Sequence, residues 1–466
     1  MILKKNKHVF FLFLVIVITL FSFYMEFHAL NSFLPLLSLI LILCIVTFNL
    51  YLNDDDFYSP LSMFSIMYLG YAIGGFYYSG ATHNFGKFVG FLNLQSSTVV
   101  DLMRVSLIYA IICFLCFGVG YSLFKEKVRF KDSFSINGFW CFYVRYYRIL
   151  VIPFLIVGLV YWYWIAHVTA GGMLNMLMYF QAFRHLVEDA NVSTLPYHFY
   201  YAGIYLWLLA IHIKGEPVTK FFLFCSIVGL VINLSQGRIT LAITFLFSQM
   251  FFFALKDENL RKKVFIYFIS LMSFAFVVYF LRMLSNSLFI GADGSALDKN
   301  IFEVIIGGGN VADLQQLVII FHTYSVNEAN VGLTYFDWIR NTLGQFFGMK
   351  PSSIGLTIKQ LYVPESSGAP TPGAIGEAYV NFNIAGPLFM FFVGLAFTFI
   401  YKYVMKSGSP LLLLIYSIFL ARFIFIYPKV DSTMFINFLW GATPFLLGVG
   451  FIFILFELAK GKKINA

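Results

Sequence analysis

The chain has 466 residues, of which 60% are apolar, 20% aromatic and only 11% charged, with a mean hydropathy of +0.83. The core of a water-soluble fold cannot absorb so much apolar side chain, which excludes a soluble globular domain and indicates an all-α polytopic membrane protein. The formal net charge of +9 is a topology signal, since no folded basic surface or basic-aromatic module for nucleic acid accompanies it.

At the N-terminus, Lys4, Lys5 and Lys7 precede an apolar run in the manner of an export signal. No small-residue cleavage pattern follows. Phe23, Tyr24, Met25 and Phe27 come instead, so an uncleaved first span is expected over 8–24. Further apolar segments approach the ~20 residues that cross a bilayer. They fall at 30–52, 61–80, 100–124, 149–169, 195–213, 221–236, 239–255, 264–283, 384–402, 411–427 and 434–457. About twelve spans are therefore expected, within one integral domain over 1–466. An even number puts both termini on one side. With the tails and the alternating loops 53–60, 125–148, 214–220, 256–263 and 403–410 placed in the cytoplasm, that face as a whole carries the excess of Lys and Arg, although 53–60 itself holds only Asp54, Asp55 and Asp56 as charges. The five cysteines avoid the expected external loops, so no disulfide framework is implied. Cys113 and Cys116 have C-x-x-C spacing inside a Phe-rich span with no nearby His, a setting for packing and not for metal.

Residues 284–383 form the one long polar stretch, and by the charge pattern it lies outside. Three pieces are expected in it. A helix over 311–324 carries Val311, Leu314, Leu317, Val318 and Phe321 at helical spacing, with Asn310 as N-cap and Asp313 in its first turn. From Leu333 to Phe347 the aromatics suggest a short helix resting in the membrane interface. In Pro364–Phe382, Thr371 as N-cap and Pro372 at N1 would open a third helix, whose free N–H groups could face an anion. A hundred-residue excursion is long for a mere connection, and it reads as an active-site lid.

Arginine placement is the second constellation. Arg129, Arg145, Arg148 and Arg261 belong to the cytoplasmic set, whereas Arg104, Arg184, Arg238, Arg282, Arg340 and Arg422 map to outer span ends or external loops, against the topological bias. Snorkelling to headgroups explains any single one. Several at a shared depth point to an anion pocket, and guanidinium suits phosphate because it is permanently charged and binds bidentately.

The segment from His167-Val-Thr-Ala-Gly-Gly-Met173 to Arg184, then Ser235-Gln-Gly-Arg238, then Pro370-Thr-Pro-Gly-Ala-Ile-Gly-Glu-Ala-Tyr-Val-Asn-Phe382 before Gly386, resembles the Wzy-type polymerases of bacterial O-antigen and related polysaccharides over about residues 165–435. The resemblance implies a C-type glycosyltransferase-like fold in the bacterial inner membrane. It also implies joining of undecaprenyl-diphosphate-linked repeat units at the periplasmic face, without a cofactor, and a chain-length-regulating co-polymerase of the Wzz type as partner. It carries essential arginines onto Arg238 and, more loosely, Arg282 and Arg422. Where a relative carries Arg near a Gly-x-Asp-Ser turn, this chain has Tyr427-Pro-Lys-Val-Asp-Ser432, so either Lys429 or Arg422 supplies that charge.

The implied reaction is substitution at an anomeric carbon, in which cationic donors stabilise the departing diphosphate. No Asp-x-Asp and no His/carboxylate cluster occurs in the external segments, so no metal is expected. The base for the acceptor hydroxyl is His322 or Glu377, and each has a plainer alternative as an interface histidine or a helix-start charge. Arg184, Arg340, Arg422, Lys429, Thr371 and Tyr379 complete the expected diphosphate- or glycan-binding set, with packing the plainer role for Tyr379. An O-antigen ligase acting on lipid-A core and a lipid-linked oligosaccharide flippase are the alternatives. A flippase would line both leaflets with charge and needs no long external loop.

Overall fold

The computed structural model describes residues 33–52, 57–80, 92, 94–123, 128–130, 134–178, 195–235, 239–257, 259–267, 269–270, 312–324, 330–344, 352–362, 364 and 371–464. Arg184, Arg238, Arg282, Asn310 and the expected first span lie outside the described residues. In chain order come α1 (Phe33–Leu52), α2 (Pro60–Gly80), α3 (Ser96–Leu123) and α4 (Gly138–Ala170). Next are α5 (His198–Lys214), α6 (Lys220–Leu234) and α7 (Ile239–Lys256). After them come α8 (Leu314–Thr323), α9 (Asp337–Gly344), α10 (Ile354–Tyr362) and α11 (Gly373–Phe382). The last are α12 (Gly386–Ser407), α13 (Pro410–Phe419) and α14 (Phe435–Ile464). Among the described residues there is no strand. The stretches Phe33–Tyr51, Ser97–Leu123, Gly138–Ala170, Gly373–Ser407 and Ser432–Lys460 are long and apolar enough to cross a bilayer. This is a helical membrane protein.

Local chemistry sets the helix ends. Asn137 caps α4 by accepting the Trp140 amide at 3.2 Å, so α4 starts well before the apolar run expected at 149–169. Thr219 and Ser409 cap α6 and α13 in the same way, each satisfying a backbone donor that the first turn leaves unpaired.

The chain forms two compact units. One comprises Met1–Lys127, Asn300–Tyr401 and Ile424–Met434; the other comprises Val128–Lys299, Lys402–Phe423 and Phe435–Ala466. In the first, α1 packs on α2 and α3, while α8 packs on α3 and α11. Helices α3 and α12 cross where Gly120 lies against the Phe391 carbonyl and Gly394 against the Phe117 carbonyl. Small residues at a crossing let helix backbones touch, which is how packing substitutes for hydrophobic drive in lipid. In the second unit, α5 is buried nearly all round and packs on α4, α7, α13 and α14, as a helix that is apolar on every face must be.

Helix α8 begins later than expected. Asp313, and not Asn310, is its N-cap, accepting the Gln315 amide at 2.9 Å. Burial pushes the Asp313 carboxyl up to about 7, against the pull of bonds from the Gln315 amide and the Gln316 side chain. An acid whose folded pKa exceeds its unfolded value of ~3.9 contributes stability that is full below the unfolded pKa and lost as pH rises through the folded one. Asp313→Asn keeps a good cap and removes the titration. Thermal unfolding in detergent should therefore show the parent losing more stability than the variant between about pH 4 and about pH 8. Identical pH profiles would remove the buried acid as the cause.

Candidate functional site

The segment Pro370–Phe382 contributes its functional side chains from α11, where Glu377 and Asn381 stand one turn apart on one face. Glu377 has 0% exposure. Its carboxylate accepts the Ser432 amide at 2.8 Å, the Ser432 hydroxyl at 2.6 Å and the Thr334 hydroxyl at 3.3 Å. Asn381 donates its side-chain amide to the Thr334 hydroxyl at 2.5 Å, and its side-chain oxygen accepts the Thr334 backbone amide at 3.3 Å. Backbone bonds continue the clasp: Asn330 donates to the Val380 carbonyl and Val331 to the Asn381 carbonyl, both at 3.0 Å. Three segments far apart in sequence thus close on one carboxylate.

Two further acids flank it. Asp431 is buried beside Ser432 and accepts the Thr433 hydroxyl; Asp337 is buried at the start of α9. Burial raises the pKa of both carboxyls. At Asp337 the Arg340 guanidinium opposes that rise and Asp431 adds to it.

Glu377, an expected base, is thus enclosed and anchors Ser432 and Thr334. It is not a helix-start charge, since it lies beyond the first turn of α11. Thr371 does not cap this helix: Pro372 occupies the cap position without a side-chain bond, and Gly373 takes φ +69°. That left-handed backbone lets Gly373 sit against Tyr71 and the Pro428 carbonyl, where a Cβ would collide.

In the other unit lies Arg422. The expected outward-going helix does not run regularly to its end, because α13 gives way to a π-turn over Leu420–Ile424 with Arg422 in its middle. Such turns recur at functional sites, since the inserted residue redirects a side chain. Arg422 is 1% exposed. Its Nη1 donates to the Asn437 carbonyl on α14 at 3.3 Å, and its guanidinium carbon lies 5.8 Å from the centroid of the Tyr201 ring on α5. Gly441 leaves the room it occupies, since a Cβ there would meet its Cδ and Nη1 at 2.9 Å. Nε and Nη2 have no hydrogen-bond partner, and no ion pair of Arg422 occurs, among the described residues. Those two nitrogens form one edge of the fork, the edge that grips two oxygens of a phosphate or carboxylate.

The other expected residues separate. His322 is exposed in the last turn of α8, its ring centroid 6.4 Å from that of Tyr362, while Glu377 is enclosed. Tyr379 is packing: it stacks on Phe321 at 4.0 Å and meets Tyr109 edge-on at 5.5 Å, leaving no face for a sugar. Lys429 is half-buried in the turn after Tyr427, in the unit that holds Glu377. Arg340 is exposed on α9. Ser235, the last described residue before Arg238, is buried and accepts the Trp162 indole N–H at 3.1 Å, so Trp162 fixes the lead-in to that motif.

Thr334, Tyr201 and Asn437 carry no signal in the sequence, because their partners lie tens to hundreds of residues away. Neither a protein-family model, nor a curated protein, nor a solved structure matches the chain.

Proposed function

We propose that the chain is a membrane glycosyltransferase that polymerises undecaprenyl-diphosphate-linked oligosaccharide repeat units into O-antigen or a related surface polysaccharide. On this reading it spans the inner membrane about twelve times, with both termini cytoplasmic and residues 284–383 forming a periplasmic lid. The observation that carries it is the enclosed Arg422, whose Nε and Nη2 have no partner among the described residues. A permanent charge taken out of water costs several kcal/mol unless an opposite charge meets it. The diphosphate of a lipid-linked sugar is the anion that the family resemblance supplies.

In the reaction, an acceptor sugar hydroxyl attacks the anomeric carbon of the donor, the glycosidic bond forms, and the bond to the carrier phosphate breaks. Negative charge builds on the departing diphosphate, where a preorganised guanidinium lowers the barrier most. Arg238 and Arg282 are proposed to share this task. The sequence leaves His322 as the candidate acceptor of the hydroxyl proton, since Glu377 is enclosed and fastens residues 330–344 to α11. The chain-length-regulating co-polymerase remains the proposed protein partner.

The glycan profile of a deletion strain tests the reading. A single repeat unit on lipid-A core is the expected result, because ligation still operates when polymerisation stops. Complete loss of the glycan would assign the chain to ligation or flipping instead.

A further inference from the structure

The outer face of the segment 330–344 is unlike an ordinary water-facing surface. Val331 is 77% exposed, Leu333 71%, Phe336 62% and Leu343 54%. From Leu333 onward these residues share one side: 333, 336, 340 and 343 follow helical spacing through the 3-10 turn Leu333–Phe336 and α9. Between Phe336 and Leu343 on that side stands the exposed Arg340. The opposite side is the anchored one. Thr334 enters the Glu377–Asn381 clasp, Asp337 is buried, and Tyr335 stacks on Phe389 of α12 at 4.4 Å.

Water cannot be the intended neighbour of four large apolar residues held rigidly outward on a clasped backbone, because exposed patches of this kind mark an interaction surface. Two observations choose the occupant. The patch adjoins the membrane-length stretch Gly373–Ser407, since Asn330 and Val331 are bonded to Val380 and Asn381. Ile384, Leu388 and Phe392 carry an exposed apolar stripe onward from there at four-residue spacing. The single cation is also placed as an interfacial helix needs it, with a long stem among apolar neighbours and a guanidinium free to reach lipid phosphate.

We propose that the outward face of residues 331–343 lies in the lipid interface of the bilayer, with Leu333, Phe336 and Leu343 among the acyl chains and Arg340 bound to lipid phosphates. Arg340 is on this account a membrane anchor and not a substrate ligand. The clasp at Glu377 fixes the depth of the segment by fastening its inner side to the end of α11.

Spin labels test the placement in the full chain, with the native cysteines replaced, in vesicles of phosphatidylethanolamine and phosphatidylglycerol. Labels at Phe336→Cys and Leu343→Cys should collide with oxygen several-fold more, relative to a water-soluble nickel chelate, than a label at Thr357→Cys on α10. They should resemble a label at Leu388→Cys. Values matching Thr357→Cys would overturn the proposal and leave a protein partner as the occupant. The unmodified chain gives a second readout, from phosphatidylglycerol carrying a photoreactive group near its headgroup. The peptide spanning 331–343 should be labelled, and Arg340→Glu should reduce that labelling several-fold while labelling of the 386–407 peptide holds. An unlabelled 331–343 peptide, or labelling indifferent to Arg340→Glu, would reject the anchor.

Discussion

Arg422→Lys should remove most long-chain polymer from cells although the charge is kept. Lysine offers a compact ammonium on a flexible stem. It cannot donate to the Asn437 carbonyl and at the same time present the paired edge that Nε and Nη2 form in the parent. A preorganised donor at a developing oxyanion is worth about 2.7 to 4 kcal/mol, or roughly a hundred- to a thousand-fold in rate. Arg422→Ala should lose at least as much. The measurement is the length distribution of the surface polysaccharide at matched membrane levels of parent and variant. A full-length ladder from Arg422→Lys would show that the buried guanidinium does not serve the reaction.

The second large effect belongs to Glu377. Alanine there orphans the Ser432 amide and takes the carboxylate acceptor from the Ser432 and Thr334 hydroxyls, leaving the first only the Thr334 carbonyl at 3.5 Å, and each buried donor left unsatisfied costs ~1–3 kcal/mol. Glu377→Ala should therefore lower the thermal stability of the purified protein and speed amide exchange across 330–344, with activity falling as a consequence. Glutamine keeps the volume and one acceptor oxygen, so Glu377→Gln should recover most of the protection and most of the activity. That recovery separates positioning from proton transfer. A Gln variant with parental exchange protection but the activity of the Ala variant would make Glu377 the base after all.

The contrast between the two residues follows from their surroundings. Both are buried ionisable groups in segments singled out by resemblance, and their type alone suggests similar importance. Glu377 accepts three hydrogen bonds from donors of its own unit. Arg422 has half its fork unfilled among the described residues. A filled site holds structure together; an unfilled one can receive a ligand.

Much of the helical architecture was legible in the sequence, because membrane helices obey a one-dimensional rule: enough consecutive apolar residues to cover the bilayer, with polar or Gly/Pro residues at the ends. The apolar runs at 30–52, 61–80, 100–124 and 221–236 coincide with α1, α2, α3 and α6 to within a few residues. The apolar pattern at 311–324 likewise located α8, and the aromatic run from Leu333 anticipated α9. Caps were less legible. Asn310 and Thr371 are both residues of cap type, yet Asp313 and Pro372 hold those positions, because a cap depends on backbone geometry that neighbours impose. The irregular π-turn at Leu420–Ile424 leaves no mark in an apolar pattern that continues through it. Pairing was not legible at all. That Thr334, Glu377 and Ser432 converge, and that Arg422 meets Tyr201 and Asn437 but no acid among the described residues, are consequences of how helices pack in three dimensions. Composition and periodicity act along the chain and determined the class and many of the helices. Side-chain roles depend on which donors and acceptors are brought within about 3 Å of one another, and tertiary structure alone decided that.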